Sequence, residues 1–245
     1  MKKNTILVAV LIALIFVSYS LKAQDNPNEN KTLSAKEQGL VAIAASTGKG
    51  DLSKLETELN RGLEAGLTIN QIKETLVHVY AYAGFPRSIR GLQTFMKVLD
   101  ERKSKGFNDV EGAEAAPIVN ETSKYQRGKK ILEQLTGVPE REPKTGYAAF
   151  APQIEVFLKE HLFADIFERD VLTFSERELA TISVLASIGG VEPMLRSHLA
   201  ICLNVGLTPG QLQQFVGVIK QTSGKKEAKA AQAVLNEVLK SRKKN

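Results

Sequence analysis

An internal repeat is the feature of this sequence that most constrains its fold. Residues 66–72 (GLTINQI) resemble residues 206–212 (GLTPGQL), which lie 140 positions further along the chain. Further residues recur at the same offset: Gly84 and Gly224, Val98 and Val238, Leu99 and Leu239, and Arg102 and Arg242. Self-similarity at a fixed spacing predicts two copies of one structural unit.

Each copy contains two signals for the start of a helix. In a capping box, a Ser or Thr side chain accepts a hydrogen bond from the first turn, and a Glu or Gln three residues later bonds back. The predicted boxes are Ser34–Glu37, Thr68–Gln71, Ser175–Glu178 and Thr208–Gln211. The first and third boxes are 141 positions apart, which indicates that one residue has been gained or lost in the loop near Gly48 and Gly189.

The apolar residues between these signals recur with the period of a helix. Leu52, Leu55 and Leu59 are three or four positions apart, and so are Leu195 and Leu199. No alternating pattern long enough for a strand is present. We therefore predict an all-α fold of two tandem repeats, each with four helices in short antiparallel succession.

The N-terminus resembles a secretory signal peptide. Lys2 and Lys3 precede an apolar run at residues 6–17, and the small residue Ala23 follows. We predict that residues 1–23 are removed, and that the mature protein is periplasmic or secreted and does not associate with the membrane. A retained N-terminal anchor is the alternative.

The rest of the chain divides into three segments. Residues 31–103 are the predicted first repeat, and residues 104–123 are a linker in which Gly, Ala, Asn, Asp and Glu dominate. Residues 124–243 contain a helical extension, with helices predicted around 125–135 and 150–167, and then the second repeat.

Composition excludes several functions. The formal net charge is +6, and its positive excess is concentrated in residues 220–245 without an aromatic or groove-reading pattern, so we predict no nucleic-acid partner. A single cysteine, Cys202, excludes an internal disulfide. The three histidines lack the spacing of metal ligands, so we predict no metal site and no cofactor.

Three segments resemble the carboxymuconolactone decarboxylase family, which includes the alkylhydroperoxidase D proteins. Residues 78–86 (HVYAYAGFP) resemble the family pattern H…Y-x-G-x-P, and residues 196–208 resemble its E-L-x-x-H…A-L-x-x-G-x-T helix. Residues 165–169 (DIFER), followed by Arg177, resemble its E-x-W-x-R…R segment. The resemblance implies paired helical repeats that assemble as homo-oligomers.

The resemblance also implies two kinds of chemistry. Decarboxylase members act on a lactone acid without a cofactor, and peroxidase members use a Cys-x-x-Cys pair that this chain lacks. Neither copy holds the whole decarboxylase pattern. The first copy has Glu58 where the second has His198, and the second has Thr222 where the first has Tyr82.

The candidate catalytic residues form two groups with helical spacing. Glu74, His78 and Tyr82 are four positions apart, so they share one helix face, and the carboxylate is expected to raise the pKa of the imidazole. They could instead be a polar stripe that only packs against a neighbour.

His198 and Cys202 form the second group and are also four positions apart. The imidazole could make Cys202 a reactive thiolate, or Cys202 could be a small core residue. Glu58 is a further catalytic candidate, because it occupies the position of His198 in the first copy.

A carboxylate-binding cluster around His198 is the third hypothesis. Its members would be Asp165, Arg169, Arg177 and Arg196, since the planar fork of Arg holds a carboxylate with two hydrogen bonds. The alternative is ion pairing at helix ends.

Three functions remain open. The first is a cofactor-free acid–base enzyme of the decarboxylase or isomerase type, acting on a small organic acid. The second is a peroxidase that uses Cys202 on a hydroperoxide. The third is a non-catalytic binding or assembly module.

Overall fold

The first repeat consists of three helical elements that follow the predicted starts. The computed structural model describes residues 31–119 and 121–243; the predicted signal peptide lies outside them. The elements are α1 (Ala35–Lys49), α2 (Leu52–Glu64) and α3 (Ile69–Ser104). The Ser34–Glu37 and Thr68–Gln71 capping boxes are both formed, which confirms two of the predicted helix starts.

The remaining elements belong to the extension and the second repeat. The extension contains α4 (Lys124–Thr136), α5 (Gly146–Phe150), α6 (Pro152–Phe157) and a π-helix (Leu158–Phe167). The second repeat contains α7 (Phe174–Ile188), α8 (Glu192–Asn204), α9 (Pro209–Thr222) and α10 (Lys225–Arg242). The described residues contain no strand, so the all-α fold with tandem repeats is confirmed.

Helix α3 is two helices joined at a glycine. Gly84 has φ 78° and ψ 164°, a conformation open only to glycine, and Pro86 follows it. Gly224, at the equivalent position, separates α9 from α10 and has φ 120° and ψ 174°. Each repeat therefore has four helices, with its last two joined at a glycine of the same unusual backbone conformation.

The start of α7 differs from the prediction. The helix is capped by Thr173 with Glu176, not by Ser175 with Glu178. Two overlapping boxes are possible in this segment, and the earlier one forms. Phe174 is the first residue of α7, and its ring centroid lies 6.4 Å from that of Phe167. The loop that follows α7 is consequently one residue longer than the loop that follows α1.

The two repeats meet where α1 lies against α7. Small residues of both helices allow a close approach, and a Cβ added to Gly48 would lie 3.2 Å from Cγ1 of Val184. Two further contacts between the repeats are equivalent to each other: α3 lies against α7, and α9 lies against α1. The contact between the repeats therefore includes the two helices on which Glu74, His78, Tyr82 and Arg177 lie.

The linker and the extension cover the outside of this bundle. Backbone carbonyls of Val110 and Glu111 accept hydrogen bonds of 2.9 Å from the N–H groups of Ile69 and Asn70, so the linker satisfies the free donors at the start of α3. Helix α4 crosses the π-helix closely at Gly128. Among the described residues, no helix is both long and apolar enough to span a bilayer.

Replacing Gly84 by Ala tests the backbone strain at the joint inside α3. A Cβ there has room, since its nearest neighbour would be Cδ of Pro86 at 3.5 Å, so the cost is conformational. We expect Gly84→Ala to lower the free energy of unfolding by about 1–3 kcal/mol.

The matched control is Gly217→Ala, because Gly217 lies in α9 with open space around it. It should be neutral or stabilise by up to about 1 kcal/mol. Equal effects in urea denaturation would contradict the assignment of strain to Gly84.

Candidate functional site

The candidate residues converge where α3 faces α7 and α8. Helix α3 contributes Glu74, His78 and Tyr82 on one face, as their spacing predicts. Helix α7 contributes buried polar side chains, and α8 contributes His198. The site is therefore built from both repeats.

A buried carboxylate holds His198. The Nδ1–H group of His198 donates to Oε2 of Glu178 over 2.8 Å, and Glu178 is completely buried on α7. Because the carboxylate accepts the Nδ1 proton, the neutral ring carries its lone pair on Nε2. Within the described residues Nε2 makes no hydrogen bond, and the His198 side chain is 15% exposed.

His78 is held in a different way. Its Nε2 lies 2.8 Å from Oγ1 of Thr181, which itself donates to the Arg177 carbonyl over 2.9 Å. The Thr181 hydroxyl therefore accepts from Nε2–H, and Nδ1 is the unprotonated ring nitrogen. Burial lowers the pKa of His78 well below its usual range, and the charges of Arg177 and His198 add to this effect. The prediction that a carboxylate raises this pKa is wrong.

The carboxylate of Glu74 binds two arginines instead of His78. Arg169 donates from Nε and Nη2 over 2.9 and 3.0 Å, and Nη2 of Arg177 donates over 2.7 Å. Burial alone would raise the pKa of Glu74, but the hydrogen bonds from the two guanidinium groups outweigh it and lower that pKa. Glu74 therefore joins the first repeat to both the extension and the second repeat.

Tyr82 lies between the two histidines. Its ring centroid is 5.4 Å from that of His78 and 5.9 Å from that of His198. Burial raises the pKa of Tyr82, and the nearby carboxylate of Glu178 raises it further. The phenol is therefore neutral at physiological pH and is available as a hydrogen-bond donor.

Solvent approaches the site from two sides. One is the partly exposed edge of His198, and the other is a cleft of about 380 Å³ at the outer side of the Glu74–Arg169 pair. The rings of Tyr82 and Phe167 lie against His78 and close the interior between them.

Cys202 is a core residue. It is fully buried among apolar side chains of the second repeat. Burial raises the pKa of the Cys202 thiol well above its usual range, and the charge of Glu178 acts in the same direction. A thiolate at this position is strongly disfavoured, which argues against the peroxidase hypothesis.

Three predicted site residues have partners elsewhere. Glu58 pairs with Lys54 and Arg61 on its own helix. Asp165 pairs with Lys124 and His161, and the exposed Arg196 pairs with Glu237. Of the proposed arginine cluster, Arg169 and Arg177 meet at Glu74 and not at His198.

Sequence reasoning missed Glu178 and Thr181. The capping box predicted at Ser175 and Glu178 would place Glu178 in the first turn of a helix, whereas its side chain is completely buried in α7. The signal that could have found it is the competing box at Thr173 and Glu176, which moves Glu178 onto the buried face of α7. No group of three His, Cys, Asp or Glu residues suited to a metal ion occurs in the described part of the chain.

The equivalent place between α1 and α9 has lost these groups. Helix α9 carries Val218 and Thr222 where α3 carries the histidine and tyrosine of the site. Helix α1 carries Gln38, Gly39 and Ala42 where α7 carries its arginine, glutamate and threonine. The repeat relates the contact between α3 and α7 to the contact between α9 and α1. The polar site lies at the contact between α3 and α7.

The burial of Cys202 predicts a thiol that does not react in the folded protein. We expect its modification by Ellman's reagent to be at least about a hundredfold slower in the native protein than in urea, because the reagent must wait for the core to open. The measurement is the absorbance of released thionitrobenzoate. Similar rates in the two states would show that the thiol is accessible.

The lowered pKa of His78 predicts a pH-dependent stability. The unfolded chain takes up a proton near the ordinary value of 6.5, whereas folded His78 does not. The contribution of His78 to the free energy of unfolding is therefore fully present above pH 6.5. It is lost as the pH falls below 6.5, by up to about 1.4 kcal/mol per pH unit. Urea denaturation between about pH 5.5 and 7.5 should show this loss in the wild type but not in His78→Gln.

The control for this experiment is His161→Gln, because His161 lies at the surface. This variant should keep the wild-type pH dependence. Parallel stability curves for the wild type and His78→Gln would contradict the assignment to His78.

Comparison with known proteins agrees with this architecture. The chain is 25% identical over 123 residues to a 4-carboxymuconolactone decarboxylase of Acinetobacter baylyi, a match that spans 50% of this chain and 91% of the relative. It is 31% identical over 72 residues to an uncharacterized protein of Methanocaldococcus jannaschii, which covers 29% of this chain and 67% of that protein. The sequence profile of one family matches residues 21–95 and 152–237, which is more than half of the chain and includes parts of both repeats. The chain belongs to the carboxymuconolactone decarboxylase family.

Proposed function

We propose that this protein is an acid–base enzyme that acts on a small organic acid, with His198 as the proton carrier. The observation that carries the proposal is the 2.8 Å hydrogen bond between Nδ1 of His198 and the buried carboxylate of Glu178. This bond orients the ring and leaves Nε2 to take up and return a proton. Glu178 also stabilises the positive charge that the ring gains when it is protonated.

Decarboxylation is the reaction that fits this site best. When a carboxylated lactone loses CO₂, the C–C bond to the carboxylate breaks and its electron pair stays on the substrate. A neighbouring carbonyl group takes up this pair, and a proton must then be added to carbon. Protonated His198 would supply that proton from Nε2. The relative in Acinetobacter baylyi is named for a reaction of this class.

A non-catalytic binding or assembly module is the second candidate. One observation favours it: His78 is completely buried behind the rings of Tyr82 and Phe167, so this part of the polar site is closed to solvent. The hydroperoxide reaction is not part of the proposal, because Cys202 is buried and its pKa is raised.

The proposal predicts how two substitutions affect turnover of 4-carboxymuconolactone. We expect His198→Ala to lower kcat/KM by about 10²–10⁴-fold, because the proton carrier is lost. Glu178→Gln should lower it by at least about tenfold and change its pH profile, because an amide can no longer fix the tautomer of the ring. The decrease of lactone absorbance measures both effects.

His161→Ala is the matched control, since it removes a surface histidine that is bonded to Asp165. It should keep wild-type kcat/KM. Unchanged activity in His198→Ala would contradict the assignment of the proton carrier. A folded wild-type protein that turns over neither this lactone nor related acids would favour the binding module.

A further inference from the structure

Large apolar residues are exposed along two neighbouring segments of the surface. Four of them lie in α5 and α6, where Phe150 is 93% exposed, and three lie on the second half of α3. The two sets are Tyr147, Phe150, Ile154 and Phe157, and Phe85, Ile89 and Met96. Within each set the residues are three, four or seven positions apart, which is the spacing of one helix face.

Ring contacts join the two segments into one surface. The ring of Phe85 stacks on that of Tyr80 with centroids 4.3 Å apart, and the ring of Tyr80 lies 5.4 Å from that of His161 in the π-helix. His161 follows Phe157 by one turn and is also exposed. We call the seven apolar residues, together with Tyr80 and His161, the apolar band. Its aromatic end lies in α5 and α6, its centre at Phe85, and its aliphatic end further along α3.

The repeat unit does not require an apolar surface at the aliphatic end of the band. Helix α10 is the equivalent of the second half of α3, and it carries exposed polar residues at the three corresponding positions, which are Lys225, Lys229 and Asn236. At the aromatic end, helix α5 buries none of its own residues. The seven residues therefore contribute little to the core, and an exposed apolar surface of this kind indicates a partner.

The exposed area of the band is that of a protein interface. Since a large apolar residue presents roughly 200 Å² when it is fully exposed, the seven residues together expose on the order of 900 Å². The largest apolar patch of a typical monomer is only about 300–600 Å². Two copies that cover each other's band would bury about 1,800 Å², which is within the range of about 1,200–2,000 Å² for stable complexes.

We propose that the apolar band is the interface of a two-fold symmetric dimer of this chain, in which the two bands run antiparallel. A two-fold axis at Phe85 places the aliphatic end of each copy on the aromatic end of the other. The two ends match in length: Met96 is 11 residues from Phe85, and Phe150 is 11 residues from His161, which is about 16 Å in each case. They also match in chemistry, because the thioether of Met96 packs favourably against aromatic rings.

A second copy fits the band better than a lipid surface does. Helices that lie on membranes have mainly basic residues beside their apolar face. Charges of both signs border the apolar band instead: Arg90 and Lys103 lie on α3 near the aliphatic end, and so does Asp100, while Glu160 follows the aromatic end. A mixed polar border of this kind is typical of the rim of a protein interface.

Charge substitutions in the band test the interface. We expect the wild type to sediment as a dimer at micromolar concentration. Ile89→Glu and Phe157→Glu should each raise the dissociation constant of the dimer at least about a hundredfold, because each variant places an unpaired carboxylate in the apolar contact. Analytical ultracentrifugation measures the constants. Circular dichroism should be unchanged, because both residues are exposed in the single chain.

Lys229→Glu is the matched control for these variants. It introduces the same side chain at the position of α10 that corresponds to Ile89, and Lys229 is exposed. This variant should keep the dissociation constant of the wild type.

Chemical cross-linking tests the antiparallel arrangement. Met96→Cys and Phe150→Cys place one thiol at each end of the band, and the native Cys202 is buried and does not compete. A short bifunctional maleimide should link the two chains when the variants are mixed in equal amounts. Neither variant alone should form linked dimers, because like ends lie about 30 Å apart across the axis.

Several outcomes would overturn the proposal. A monomeric wild type would do so, as would unchanged dissociation constants in both glutamate variants. Cross-linking of Met96→Cys alone would show that like ends meet. If a monomeric wild type binds phosphatidylglycerol vesicles and Ile89→Glu does not, the band binds lipid and not a second copy. None of these results bears on His198, so the dimer and the proposed function stand or fall separately.

Discussion

The buried ion pair between Glu74 and Arg177 is the interaction on which the site depends. It joins α3 of the first repeat to α7 of the second at a distance of 2.7 Å, and Arg169 of the extension completes it. Removing one partner would leave a buried charge unpaired, at a cost of about 3–5 kcal/mol. The pair therefore holds the helix of His78 and Tyr82 in register with the helix of Glu178.

Duplication has produced one polar site from two equivalent positions. The contact between α3 and α7 collects the charged and aromatic groups, whereas the contact between α1 and α9 has small, apolar or locally bonded side chains in their place. Each repeat contributes what the other lacks, since His198 and Glu178 come from the second and Tyr82 from the first. A single repeat would hold only half of this arrangement.

Helix starts were predictable because their signals are local, and the site was not because its contacts are distant in sequence. Ser34, Thr68 and Thr208 cap their helices as expected, since a capping box needs only four residues. A local signal was not enough at Ser175, where two possible boxes overlap and the earlier one, Thr173 with Glu176, forms. No local signal therefore places Glu178 in the site.

The sequence by itself determined that the chain is all-α, that it contains two copies of a four-helix unit, and that it resembles one family, because periodicity, caps and repeats are properties of neighbouring residues. Only the tertiary structure decided which polar residues meet. Glu74 binds arginines 95 and 103 positions away instead of the histidine one turn along its own helix. The reason is physical: a buried carboxylate is stabilised far more by two guanidinium groups than by a neutral imidazole, and only packing brings those groups within reach.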